Sequence, residues 1–180
     1  YRATGFKSTY PDILFTASNS EDLKASFNIG ALPLCFFYVG SVSGGNSYNF
    51  SYTKTGIANQ YFFSGRVFNT MASSYRNTTA NNLSGSVSTT TDSDVAVYTE
   101  KTATAKRLIF RTEDISNADA QTYGSFDTLY IGRLRDSSSA WLNTNLVELF
   151  GYSSIPSDSD KQLIFNYFAN KYGVEIPSGL

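Results

Sequence analysis

The sequence has no histidine, and only one cysteine, one tryptophan and one methionine, in 180 residues. Without histidine, Ser-His-Asp and Cys-His catalytic arrangements are excluded, and with them nearly every zinc site. Cys35 has no partner for an internal disulfide. Inside the apolar run "LPLCFFYVG" it reads as a small buried side chain, with nothing nearby to lower its thiol pKa. Charge is scarce too: 14 basic residues stand against 15 acidic ones, so no net field draws nucleic acid or an anionic membrane. There is no apolar run of about 18 residues and no charged-then-apolar N-terminal segment, so neither a membrane span nor a signal peptide is expected. The length suits one domain with a full core.

What the chain does have is aromatic residues, at 16%, among Ser, Thr, Asn and Gly. Nine short runs rich in β-branched and aromatic residues are separated by turn-formers and read as strands: 11–16, 22–29, 32–40, 47–54, 60–68, 94–101, 106–114, 127–132 and 145–153. In "SYNFSYTK", Tyr48, Phe50 and Tyr52 alternate with polar residues, the pattern of a half-buried antiparallel strand. "VSGGNS" places Gly44, Gly45 and Asn46 between two such runs, which predicts a hairpin joining 32–40 to 47–54. The long polar segment 73–94 reads either as a loop or as two edge strands. No helical period intervenes before residue 157, so the pattern predicts an all-β sandwich of two antiparallel sheets.

The chain ends differently. "PSDSDKQLIFNYFANKYGVEIP" carries an N-cap at Ser157, acids at Asp158 and Asp160, Lys171 in the last turn and Gly173 just beyond it, which bounds a helix over about 158–172. Leu163, Ile164, Tyr167, Phe168 and Tyr172 form its expected apolar stripe, and Lys161 falls elsewhere. With no second helix to receive it, that stripe must lie on the sandwich.

"DTLYIGRL", then "WLNTNLVELFGYS", then a "SDSD" helix start and "IFNYFANKYGVEIP" resemble the C-terminal half of the concanavalin A-like lectin/glucanase (laminin-G-like) jelly roll found in phage and bacterial surface proteins. Leu129, Ile131 and Gly132 match the family's first strand motif. Leu146, Val147, Glu148 and Tyr152 match the second, and Tyr167, Phe168, Lys171, Tyr172 and Gly173 the closing helix. The resemblance implies one such domain over 1–180. The family's N-terminal tryptophan strand has no counterpart, so the expectation is that the N-terminal part is incomplete.

The glucanase branch of that family uses paired carboxylates on one strand. Glu148 is the only carboxylate in its run, and the acids of "TED" (112–114) are adjacent, on opposite faces. Glu148 is therefore expected to accept hydrogen bonds, and the chain to be no enzyme. Asp92, Asp94, Asp136, Asp158 and Asp160 carry oxygen donors but lack an EF-hand spacing, so no cofactor is expected and calcium has no support. Sugar binding needs flat aromatic surfaces beside amides and carboxylates. Trp141, after the "RDSSSA" loop, fits that need or else plugs one end of the sandwich; Tyr123, Tyr75 and Arg76 are further candidate contacts. Sequons occur at Asn49, Asn77 and Asn82.

The family analogy implies a binding, adhesion or decoration module at a virion surface or outside a cell. Its expected partners are host-surface glycans or neighbouring surface proteins, engaged weakly within a multivalent assembly, with neither nucleic acid nor membrane insertion. A purely structural assembly domain is the alternative, and a glycan-degrading enzyme the third reading.

Overall fold

The alternation read in the sequence becomes thirteen described strands and one helix in the computed structural model, which describes residues 2–6, 10–15, 23–30, 33–42, 47–55, 61–67, 70–76, 80–86, 93–121, 126–133 and 144–180. The strands are β1 (Arg2–Phe6), β2 (Tyr10–Phe15), β3 (Leu23–Gly30), β4 (Leu34–Val42), β5 (Ser47–Thr53), β6 (Tyr61–Val67) and β7 (Thr70–Arg76). There follow β8 (Ala80–Ser86), β9 (Ser93–Lys101), β10 (Ala105–Phe110), β11 (Glu113–Ala118), β12 (Phe126–Ile131), β13 (Thr144–Tyr152) and the helix α1 (Asp158–Tyr172). They form a seven-stranded sheet, β1-β2-β13-β4-β9-β10-β11, and a six-stranded sheet, β3-β12-β5-β6-β7-β8.

Aromatic side chains fill the space between the sheets. Phe36 lies 4.6 Å from Phe50 and 6.0 Å from Phe62, ring centre to centre, while Tyr38 donates to or accepts from Ser64 Oγ at 3.0 Å. The opposite face of β4 carries Cys35, Phe37 and Val39, which pack with Phe165, Phe168 and Tyr172 of α1. β4 is thus apolar on both faces because it is covered on both, by the second sheet and by the helix.

The pairing of β4 along both edges corrects the predicted hairpin. β4 pairs with β9 and β13 along its two edges, and β5 pairs with β6 and β12 in the other sheet. The chain crosses between layers here because a strand flanked on both edges has no edge left for a hairpin partner. Gly44, Gly45 and Asn46 lie outside the described residues. A second correction concerns 106–114, expected as one strand. Arg111 takes φ 50°, a left-handed value uncommon outside glycine, and reverses the chain into the hairpin β10–β11, where Leu108 faces Ile115. The polar segment 73–94 proves to contain strand: β7 and β8 pair antiparallel at the edge of the six-stranded sheet.

The helix bounds and caps are as the sequence predicts. Ser157 Oγ accepts from Asp160 N at 3.1 Å, and Gly173, at φ 64°, donates its N–H to Ala169 O. The buried face differs from the expected stripe. Lys161, Phe165, Phe168 and Tyr172 are buried, whereas Leu163 is 66% and Tyr167 42% exposed. Spacings of four, three and four keep those four residues on one side. Phe165 wins the central place because it meets the Phe37 ring edge-on at 5.9 Å. Among the described residues no helix is long and apolar enough to cross a membrane.

Candidate functional site in the groove between α1 and β13

Turning Phe165 inward turns Leu163 and Tyr167 outward, and this creates a groove. One wall is α1, through Asp160, Leu163 and Ile164; the other is the end of β13 and the chain just after it, through Tyr152, Ser154 and Pro156. The part lined by Tyr152, Ser154, Pro156, Asp160, Leu163 and Ile164 encloses about 400 Å³. Tyr152 is also 42% exposed, so two tyrosine rings and one leucine present apolar surface to solvent here.

On the same face of the molecule, Glu148 of β13 binds the C-terminal half of α1. Its carboxylate accepts from Tyr172 Oη at 2.7 Å, from Tyr167 Oη at 3.2 Å to each oxygen, and from Lys171 Nζ at 3.3 Å. Glu148 thus accepts hydrogen bonds, as its sequence context predicts, and the Lys171 ammonium adds an ion pair. Lys171 also donates to Tyr167 Oη and lies 4.9 Å from the centroids of both the Tyr167 and Tyr172 rings. The Tyr167 hydrogen bond, then Tyr172 and Glu148, raise the Lys171 ammonium above its ordinary pKa. Burial, with the Glu148 charge adding to it, pushes the Tyr172 phenol up to about 12. The cluster keeps Lys171 cationic and Glu148 saturated with donors. It offers polar hydrogen-bonding groups beside flat rings, and β13 supplies no second carboxylate for acid–base chemistry.

None of the sugar contacts singled out from sequence is among the described residues of this site. Trp141 and Tyr123 lie outside the described residues. The strand ends that flank 134–143, Arg133 and Thr144, open at the end of the sandwich where Thr144 pairs with Val42. Those flanking 122–125 open at the other end, where Phe126 pairs with Gly30. Tyr75 and Arg76 lie on β7, opposite Phe62 and Tyr61 in register, at the same end as Phe126. Tyr152 and Tyr167 were missed as surface residues because apolar spacing placed Tyr167 on the buried stripe.

Other candidates resolve plainly. Cys35 is buried, its thiol donating to Ser154 O at 3.3 Å, and burial raises its pKa to about 11. Asp94 accepts from Ser41 Oγ at 2.6 Å, and Asp158 pairs with Arg107 and Lys161, so these acids are already engaged. Asp160 accepts from the capping Ser157 hydroxyl, while Asp92 and Asp136 lie outside the described residues. Among the described residues no three His, Cys, Asp or Glu side chains gather as a metal site would require. Asn49 is fully buried, which removes it as a glycosylation acceptor; Asn77 and the Asn82 side chain lie outside the described residues.

No protein-family model matches the chain, and neither does any curated protein sequence. Solved structures do. Domains LG4-5 of the mouse laminin alpha1 chain align with a TM-score of 0.65 at 10% identity, over 82% of this chain and 42% of that one. The fold is a concanavalin A-like jelly roll. The same jelly roll relates the chain to a native heptameric SAP-like pentraxin from Limulus polyphemus, with a TM-score of 0.62 and 11% identity over 94% of this chain and 83% of that one. The CBM40 of Ruminococcus gnavus IT-sialidase aligns at 0.58 and 13% identity, over 80% and 96% of the two chains. The chain spans less than half of the laminin chain it matches.

Proposed function

We propose that this chain is a non-catalytic glycan-binding module, displayed on a virion or cell surface and contacting host glycans weakly through several copies. The observation that carries this reading is the surface shared by α1 and β13, where the exposed Tyr152 ring lines a groove of about 400 Å³ and the exposed Tyr167 ring adjoins the Glu148 carboxylate and the Lys171 ammonium. Rings of that kind stack on the C–H faces of a pyranose, and the Lys171 ammonium can donate to its hydroxyls. Neighbouring folds lend support: the Ruminococcus gnavus CBM40 was solved with α2,3 and α2,6 sialyllactose, and a botulinum neurotoxin DC binding domain with SialylT. Shallow sites of this type reach useful avidity only when several act together. Trp141, Tyr123, Tyr75 and Arg76 are proposed as further contacts.

The test is a glycan array with the chain presented multivalently, run for wild type, Tyr167→Ala and Trp141→Ala. Wild type should bind a subset of glycans, and the variant that loses the signal identifies the contact surface. Absence of wild-type binding at every presentation density would sink the proposal. Incubation with β-glucans and bacterial polysaccharides should release no reducing ends; turnover that Glu148→Gln abolishes would restore the enzyme reading.

One observation favours the alternative of a structural assembly domain. Leu163, at 66% exposure, serves a protein neighbour better than a sugar. Sedimentation of wild type against Leu163→Lys separates the two, since only a protein interface would be lost.

A further inference from the structure

Charged residues occupy one end of the sandwich interior. On β10, Lys106 shares the inward face with Leu108 and Phe110, and on β9 Lys101 shares it with Val95 and Val97. Both lysines are fully buried, and Asp119, just after β11, is 3% exposed. Lys106 stands in register opposite Asn117 of β11 on one side and Lys101 of β9 on the other. Its Nζ lies 3.8 Å from Asp119 Oδ2. Lys101 Nζ donates to the backbone oxygen of Asp119 at 2.8 Å and to that of Thr102, which fixes the segment leaving β11.

Two buried oxygens beside these lysines have no hydrogen-bond partner among the described residues: Asn117 Oδ1 and Asp119 Oδ2. Each such acceptor gives up its hydration without a replacement bond, and interiors seldom keep two without a use for them. They lie two residues apart, one opposite Lys106 in register and the other 3.8 Å from its Nζ. Burial, opposed by Asp119 and reinforced by Lys101, lowers the Lys106 ammonium to about 8. A lysine in that state readily supplies the neutral amine, which is the nucleophilic form.

We propose that Lys106, Asn117 and Asp119 form an autocatalytic isopeptide site, in which Lys106 Nζ becomes bonded to Asn117 Cγ. Lys106 first gives a proton to Asp119, leaving a neutral amine and a neutral carboxylic acid, the forms that a low-dielectric interior favours. The amine lone pair attacks Asn117 Cγ while the Asp119 O–H donates to Asn117 Oδ1, where negative charge develops. The intermediate collapses with cleavage of the Cγ–Nδ2 bond. The proton shed by the Lys106 nitrogen passes through Asp119 to the leaving nitrogen. One amine and one carboxamide become a secondary amide and ammonia; no electrons are exchanged and Asp119 is regenerated. The product clasps β11, the outermost strand of the seven-stranded sheet, to β10 by a covalent link, which secures an otherwise vulnerable edge.

Intact-mass spectrometry of the denatured full chain tests this. Wild type should weigh one ammonia less than its sequence, and peptide mapping should find the Lys106 and Asn117 peptides joined as one branched species. Lys106→Arg and Asp119→Asn should each show the full sequence mass, with circular dichroism reporting whether they fold. The wild-type mass decides the question even if they do not. A wild-type chain at full sequence mass overturns the proposal. So does loss of water instead of ammonia, which would place the bond on Asp119, or an ammonia loss that persists in Lys106→Arg.

Discussion

Lys161 Nζ, on the buried face of α1, lies 3.3 Å from the carboxylate of Glu100 on β9, so the closing helix is ion-paired to the sheet that it covers. The ammonium also sits 4.9 Å from the centroid of the Tyr98 ring, and the Tyr98 hydroxyl donates to the same carboxylate. Lys161→Met should cost up to about 3 kcal/mol, because it strands the Glu100 charge in a largely buried site. Lys161→Met combined with Glu100→Gln should recover much of that loss. Urea denaturation of the single and double variants measures both, and a single variant as stable as wild type would refute the pairing.

The rotation of α1 makes a second prediction. Phe165→Ala, which empties a site against Phe37, should cost about 3–5 kcal/mol, whereas Leu163→Ala should be nearly neutral. Removing the helix by truncation after Pro156 exposes the whole Phe37 and Phe150 face and should give an insoluble or molten product. A truncated chain that still melts cooperatively near the full-length temperature would contradict this.

Trp141→Ala distinguishes a stacking platform from a core plug. Binding to glycans should vanish while the melting temperature stays close to that of wild type. A loss of about 3–5 kcal/mol would identify a plug and end the stacking proposal.

Acid should weaken the fold through Asp127. Burial opposes its charge, but hydrogen bonds from Thr55, Lys54 and Thr128 together outweigh it and hold the carboxyl down at about 2. Because the folded value is depressed, this contribution is complete above the ordinary carboxylate range and is lost as pH falls through about 2. Asp158 shifts the same way, held first by Arg107. Melting temperatures between about pH 4 and pH 2 should therefore fall more steeply for wild type than for Asp127→Asn, and equal slopes would count against this account.

Features under the control of local interactions can be read from the residues alone. The helix ends are legible because the Ser157 cap and the Gly173 stop act within a few residues, and period-two alternation marks strands such as β5 without knowledge of their partners. The absence of histidine removed whole classes of chemistry before any fold was known. That β4 and β5 belong to different sheets emerges in three dimensions, since "VSGGNS" permits a hairpin and the pairing of β9 and β13 with β4 forbids it. The buried side of α1 emerges there too, because Phe165 meets Phe37 across 128 residues of chain and three- and four-residue spacing fits two neighbouring stripes. The groove of Tyr152 and Leu163, and the meeting of Lys106 with Asp119, arise from the same source: side chains distant in sequence are brought together by sheet register and helix rotation, which a linear pattern does not encode.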